Sequence, residues 1–524
     1  AVSCMDHQIE LQAFSLFRPD TPYDFIVCTD TRRLQAAQSA HSYASKHPAP
    51  GYIALAPHGS IANANGLFYG LDYRMMAHKA AKALVAHLEQ GAPLARQTLL
   101  PNNGFPAFPA GGARQAKELS LLSVASPSSE ALMLLAPHLE KTQGIRLNLS
   151  IMSLDDIYSL VLSSGGATPY DLIRMDMAWI DELAALAYRP LEEIDHPWNR
   201  LFESFRPEFM QDYSEAGGVR YSLPYDPSTQ LLFYRKDLLE NPFFKRMYFE
   251  ATRKELKIPE TFEEYNQVAR FFTQSLNPQA PTLYGTTVAI GNAMVGASEY
   301  YVRLLGMGGG PLDGAGRVAL NTPQAMAALQ NLMEAYQYSD KSQYQWWKSV
   351  LQGFAQGNAA MTVVFMNYAA DILNLQQSSI AGKVGYAAVP GGRPLIGGGI
   401  IGISRTAKNV PAACAFLDWL YSPSIASAFT LLGGLSPCQS AYSNRDVYEK
   451  YPWLTAAKKS FPVAQRRHKS SAYINFSQHQ LEKVLAFEVK NAVLGIVEPS
   501  EALARAQQSC EESFALQPPG KPLP

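Results

Sequence analysis

The residues best suited to do chemistry stand at the ends of short apolar runs. Tyr170–Met175 leads directly into Asp176, with Trp179 three residues further on. An acid beside an indole suits a polyhydroxylated ligand: the carboxylate accepts hydrogen bonds from vicinal hydroxyls while the ring covers an apolar C–H face. The competing use of Trp179 is packing against Leu183 on the helix that follows. The stretch Tyr221–Tyr234 has the same character. One strand delivers Tyr225 and Asp226 at a turn, and a second carries Gln230 and Tyr234. Phe365–Asn367 ends another run and makes Asn367 a candidate, while Trp346–Trp347 form either a lid or core. Gly398 lies in the triplet Gly397–Gly399, where a strand without side chains lets a ligand approach the backbone closely. Ser128, at the start of a helix opened by Pro127, completes the candidate ligand contacts.

Signatures of bond-making chemistry are missing. There is no HExxH, no GxSxG and no P-loop pattern, so the chain does not read as an enzyme. A GxGxxG match at Gly397, Gly399 and Gly402 fails as a dinucleotide fingerprint. Ile403–Ser404 continue the strand, and no helix opens before Val410. Adjacent acids at Asp155–Asp156, Glu192–Glu193 and Glu263–Glu264 are neighbours in sequence, not carboxylates flanking a bond from separate elements. They read as solvated acids in first turns. Arg466-Arg467-His468-Lys469 reads as an exposed basic loop. The cysteines, Cys4, Cys28, Cys414, Cys438 and Cys510, are odd in number and widely spaced, which speaks against a disulfide framework or a zinc site. Cys28 reads as a core thiol, and buried thiols fit a reducing compartment. No cofactor and no metal is expected.

The elements that must position these residues alternate. Tyr23–Cys28 and Gly51–Ala56 read as strands, Arg32–Ser45 as a helix with Leu34, Ala37 and Ala40 on one face, Asp72–Gln90 as a long helix and Gln97–Leu100 as a closing strand. Pro101–Gly112 is a linker rich in Pro, Gly and Asn. Then comes a βαβαβ run: strand Leu119–Ala125, helix Pro127–Thr142, strand Ile145–Met152, helix Leu154–Ser164 opened by Ser153, and strand Tyr170–Met175. Ligands of open α/β sheets sit beyond the carboxyl ends of strands, which puts Asp176 and Trp179 at a cleft. Further helices at Thr261–Ser275, Pro323–Tyr338, Gln343–Gln356, Val410–Tyr421 and Gln478–Leu494 alternate with strands at Ala359–Phe365, Val384–Pro390 and Gly397–Ser404.

Composition limits the partners. Apolar residues are 47% and charged residues 17%, enough for a large core, so global disorder is excluded. Lys and Arg number 44 against 45 Asp and Glu, so no overall basic field favours nucleic acid or an anionic membrane. No apolar stretch approaches the roughly 20 residues of a membrane span. Ala1–Arg18, with Asp6, Glu10 and Arg18, lacks the pattern of a signal peptide.

Seven stretches carry a family resemblance: IRLNLSIMSLDDIYSLVLS, PYDLIRMDMAWIDELA, YSLPYDPSTQLLFYRKDLLE, LYGTTVAI, NAAMTVVF, GGGIIGIS and AACAFLDWLYSP. Through them residues 118–524 resemble the family 1 extracellular solute-binding proteins, the sugar-binding subunits of ABC importers. The resemblance implies a bilobal periplasmic-binding-protein-like α/β fold, two lobes joined by hinge strands and closing on one ligand. It matches Asp176 and Trp179 to the family's acidic-aromatic loop, Tyr225 to its hinge-side tyrosine, Asn367 to the polar position after the NAAMTVVF strand, and Gly397–Gly399 to its glycine-rich strand. Many members carry a Trp just after that strand, where this chain has Phe365-Met366-Asn367.

Residues 1–100 resemble something else. YDFIVCTDTRRLQAAQSA, GYIALAPHG and YRMMAHKAAKALVAHLEQGAPL are similar to the final third of a LacI-type effector-binding domain. The expected organisation is therefore a partial LacI-like α/β segment (1–100), a linker (101–117) and a two-lobed solute-binding domain (118–524). The resulting expectation is a fragment of a cytoplasmic transcription regulator that senses a mono- or oligosaccharide. DNA would be contacted only by upstream parts, and a homodimer would follow the LacI-like part. The alternative is an exported binding protein, extracellular, periplasmic or membrane-associated as a lipoprotein, that serves the membrane subunit of an ABC sugar importer.

Overall fold

The computed structural model describes strand residues 25–28, 51–57 and 67–71, helical residues 33, 36–38, 40 and 41, and residues 117–516 except 343–345 and 374–377. The expected helix Asp72–Gln90, strand Gln97–Leu100 and linker Pro101–Gly112 lie outside the described residues. The chain forms two compact units, residues 1–119 with 131–148 and residues 120–130 with 149–524.

The first unit holds a three-stranded sheet of β1 (Phe25–Cys28), β2 (Gly51–Pro57) and β3 (Leu67–Leu71). Both pairings are parallel. Ala37 and Ala40, placed on an apolar helix face by their spacing, are buried, as is Ala36. β3 was not legible in the sequence pattern.

From Lys117 on the chain is organised by a mixed sheet. In chain order its elements are β4 (Lys117–Val124), α1 (Pro127–Gln143), β5 (Ile145–Met152), α2 (Leu154–Ser163), β6 (Leu172–Asp176), α3 (Ile180–Ala187), β7 (Leu223–Arg235), α4 (Ala293–Gly306), α5 (Trp347–Ala355), β8 (Met361–Phe365), β9 (Val384–Ala387), β10 (Ile396–Ile403) and α6 (Gln478–Val493), with further helices between them. The strands stand in the order β8–β7–β10–β6–β4–β5, with β9 also paired to β7. β4 and β6 are parallel, and β10 runs antiparallel to both β6 and β7. The βαβαβ opening is as the periodicity predicts.

β7 is one strand, not two with a turn between them. Its alternation sorts the core: Leu231 and Phe233 join one apolar cluster, Leu232 and Tyr234 another. The apparent turn at Asp226-Pro227 is a bulge. The pairing of β10 with β7 shifts between Gly397 and Gly399, so Pro227 needs no N–H in the ladder. Asp226 has φ 46° and Gly398 φ 98°. A Cβ on Gly398 would lie 2.2 Å from the Asp226 carbonyl oxygen, so only glycine fits opposite the bulge.

The helices cover the sheet by one-sided apolar stripes. Ala297, Tyr300, Tyr301 and Leu304 on α4 share a core with Leu481, Leu485, Val489 and Ala492 on α6. These spacings of three and four residues put each set on one helix face.

Candidate functional site

Two adjoining cavities open in the second unit at strand and helix ends. The wider one, about 600 Å³, is lined where β4 passes into α1 (Val124–Pro127 and Glu130), where β5 passes into α2 (Ile151–Asp156), and by Asn292, Trp346, Lys348 and Tyr368. The narrower recess, about 40 Å³, is lined by Arg174 and Asp176 of β6, Asp226 and Ser228 of β7, Gly397 and Gly398 of β10, Phe365, Asn367, Trp347 and Arg466. The two share Val124, Ser126, Leu154, Trp346 and Tyr368.

Local capping holds the wide cavity in shape. The Ser129 N–H donates to Ser126 Oγ (3.2 Å) and the Ser126 N–H to Ser129 Oγ (3.0 Å), a reciprocal cap that starts α1 around Pro127. At α2, Ser153 Oγ accepts from the Asp156 N–H (3.1 Å) and donates to the Asp156 carboxylate (2.6 Å). The aromatic wall is braced in the same way. Trp346 Nε1–H donates to Tyr368 Oη (3.2 Å), and Trp347 lies 5.8 Å from the Tyr368 ring and edge-on to Phe365 at 5.2 Å. Lys348 pairs with Glu130 at 3.0 Å.

The recess is a buried ionic network. Arg174 Nη2 donates to Asp226 Oδ1 at 3.0 Å, and the Gly399 N–H donates to the same oxygen at 2.7 Å. Arg466 bonds Asp176 (3.2 Å) and grips Glu482 of α6 through two parallel bonds of 2.9 Å. The Glu482 side chain also accepts from Gln478. Burial alone would raise the Glu482 carboxyl, but the Arg466 charge and hydrogen bonds more than offset this and hold it below the usual carboxylate range. Ser228 Oγ donates to Asn367 Oδ1 at 2.9 Å.

The structure brings together Asp176, Trp346, Asn367 and Gly398 at the recess, and Trp346 faces the wide cavity as well. It does not bring the other four sequence candidates to either cavity. Trp179 is fully buried, edge-on to Tyr158 (5.3 Å) and His479 (5.4 Å) and in one cluster with Leu183. The ring is thus packed in the core and lines neither cavity. The cause is local: Asp176 Oδ1 accepts from the Ala178 N–H (2.9 Å), capping a 3-10 turn that swings residue 179 inward. Tyr225 packs against Phe429 at 5.9 Å, Gln230 is buried with its side-chain oxygen on the Leu395 N–H, and Ser128 is buried in the first turn of α1.

Some lining residues were passed over in the sequence. Asp155 and Asp156 line the wide cavity, although they are first-turn acids as expected. Arg466 and Arg467 are not an exposed loop, since their side chains are 7% and 1% exposed. The usable signal was Arg174, a charge inside the apolar run Leu172–Met175, because a buried arginine demands buried acids nearby.

The family model of the bacterial extracellular solute-binding proteins matches residues 125–426, more than half of the chain. The chain belongs to this family. A probable amino-acid ABC transporter periplasmic-binding protein of Sinorhizobium fredii is 20% identical over 406 residues, 76% of this chain and 89% of that protein. The fold is that of bilobal periplasmic binding proteins. A solute-binding protein of Agrobacterium radiobacter in complex with ribitol matches with a TM-score of 0.66 at 23% identity, over 76% of this chain and 98% of that one. Maltose-bound MalE3 of T. maritima matches with a TM-score of 0.64 at 19% identity, over 76% and 99%.

The family assignment overturns the cytoplasmic placement, since this family is extracellular. The cysteines misled because burial protects them: Cys414, Cys438 and Cys510 are buried and joined by no disulfide, and such thiols say little about the compartment.

Proposed function

We propose that the protein captures a saccharide or polyol in the wide cavity and recess, leaves it chemically unchanged, and presents it to the membrane subunits of an ABC importer. The observation that carries this reading is the pairing, in one cavity of about 600 Å³, of the Trp346 indole with hydroxyl and carboxylate groups at strand and helix ends. A sugar needs both at once, the ring for its C–H face and the polar groups for its hydroxyls. Ribitol and maltose in the structural neighbours, and the transporter assignment of the S. fredii relative, support it. The resemblance of residues 1–100 to a LacI-type segment is the sole support for the regulator reading, and DNA contact and a homodimer stay with it. A thermal-shift screen of polyols and oligosaccharides, followed by titration calorimetry, tests the proposal. A ligand that binds only the folded state raises the melting temperature with its concentration. Stabilisation by amino acids and by none of the sugars would reject it.

A further inference from the structure

We propose that the recess is a subsite for a single uncharged hydroxyl, the terminal hydroxymethyl of the ligand, and that it restricts the protein to ligands with a neutral end. The inference rests on the saccharide reading above and names the chemical class within it. Size comes first. The recess, about 40 Å³ against about 600 Å³ for the wide cavity, accepts only a small group such as a hydroxymethyl. A primary alcohol on its single carbon enters such a space. A secondary ring hydroxyl, flanked by two ring carbons, does not enter as deeply.

Hydrogen bonding comes second. The Arg174 side chain is 6% exposed and lines the recess, and its Nε–H is buried without a hydrogen-bond partner among the described residues. Unmet donors of this kind are rare in folded proteins and call for an acceptor. Gly399 keeps the guanidinium in place, since a Cβ there would come within 2.2 Å of Nε. Asp226 and Asp176 face the same recess as acceptors, so a hydroxyl, which both gives and takes, fits the lining.

Charge comes third. Two guanidiniums, Arg174 and Arg466, stand against three carboxylates, Asp176, Asp226 and Glu482, and every guanidinium is already engaged by an acid. An incoming carboxylate or phosphate finds no free positive charge, because the two guanidiniums on the lining are matched there by two carboxylates, Asp176 and Asp226. A sugar acid is therefore refused at the point where a sugar alcohol is held.

The test uses the unaltered chain and calorimetry with ribitol, D-mannitol and maltose. Whichever binds is compared with its derivative oxidised to carboxylates at both terminal hydroxymethyl groups, so that no neutral end can be offered instead. The dicarboxylate is expected to bind at least tenfold more weakly. Equal affinities would overturn the recess subsite while leaving the saccharide reading standing. Failure of all three neutral probes would overturn the recess subsite, and the saccharide reading falls with it only if the wider screen of sugars and polyols fails as well. Arg174→Lys keeps a charge for Asp226 but removes the Nε–H, and is expected to weaken the neutral probe at least fivefold. An unchanged affinity in a folded Arg174→Lys protein would also overturn the proposal. Should that variant not fold, the pair of ligands still decides.

Discussion

In the wide cavity most polar groups stand at helix starts, and the Lys348–Glu130 pair reaches solvent, whereas in the recess most stand on the sheet and are buried. Lys348 and Glu130 are 45% and 44% exposed, against 6% and 1% for Arg174 and Asp226. Each recess charge is held by another, so these side chains serve the fold and the site together. The wide cavity is lined by groups that the fold would scarcely miss. Changes in the recess should therefore register first as lost stability, and changes in the wide cavity as lost binding.

The largest effect expected lies just outside both. Trp179 fills core between Tyr158 and His479. Trp179→Ala should cost about 3–5 kcal/mol, read by urea unfolding, with little change in affinity for the molecules that stay folded. A stable variant with impaired binding would move the boundary of the recess outward to residue 179.

Glu482→Gln is next. It leaves Arg466 with Asp176 alone and should cost about 3 kcal/mol at neutral pH, since a buried guanidinium loses its two-bond acid partner. The sign of its pH dependence follows from the lowered Glu482 carboxyl. That contribution is complete above the ordinary glutamate value of about 4.3 and is lost as pH falls through the lower folded value. The stability gap between wild type and variant should thus be widest near neutrality and close on acidification. A gap independent of pH would show that Glu482 acts by packing and not by charge.

The contrast also explains what the sequence could convey. Alternation and capping signals located the βαβαβ run, and Ser153 with Asp156 opens α2 as their spacing predicts. Asp176, Asn367 and Gly398, which line the recess, stand on or beside strands, and strands are local in sequence. The recess network was not legible, because Arg466 lies 290 residues from Asp176, and its second partner Glu482, on α6, comes later still in the chain. Trp179 failed for a related reason: one capping bond decides whether residue 179 faces a cavity or the core, and residue type alone does not reveal it. Tyr225 and Asp226 show the limit within a single strand. They are adjacent, yet one packs on Phe429 and the other enters the recess.

Trp346 should show the opposite behaviour from Glu482. Its half-buried ring lines both cavities and is steered by Tyr368. Trp346→Ala should weaken saccharide binding about tenfold by calorimetry while changing stability by about 1 kcal/mol or less. Intact binding would leave the wide cavity without its apolar face and remove the main support for a sugar.

Lys348 gives the smallest and sharpest comparison. Its ion pair with Glu130 links the first turn of α5 to the first turn of α1, and both partners line the wide cavity. Half-exposed pairs contribute roughly 0–1 kcal/mol, because water screens the charges and two long side chains must be ordered. Lys348→Met keeps the aliphatic stem and deletes only the charge, so the stability change should stay within that range. Salt then separates the two regions. At about 1 M salt the screening length falls to roughly 3 Å, and the difference between Lys348→Met and wild type should vanish. The Glu482→Gln difference should persist under the same conditions, because its network is closed to ions. If both differences faded together, the recess would be as wet as the wide cavity, and the division between a buried recognition network and an open binding wall would fail.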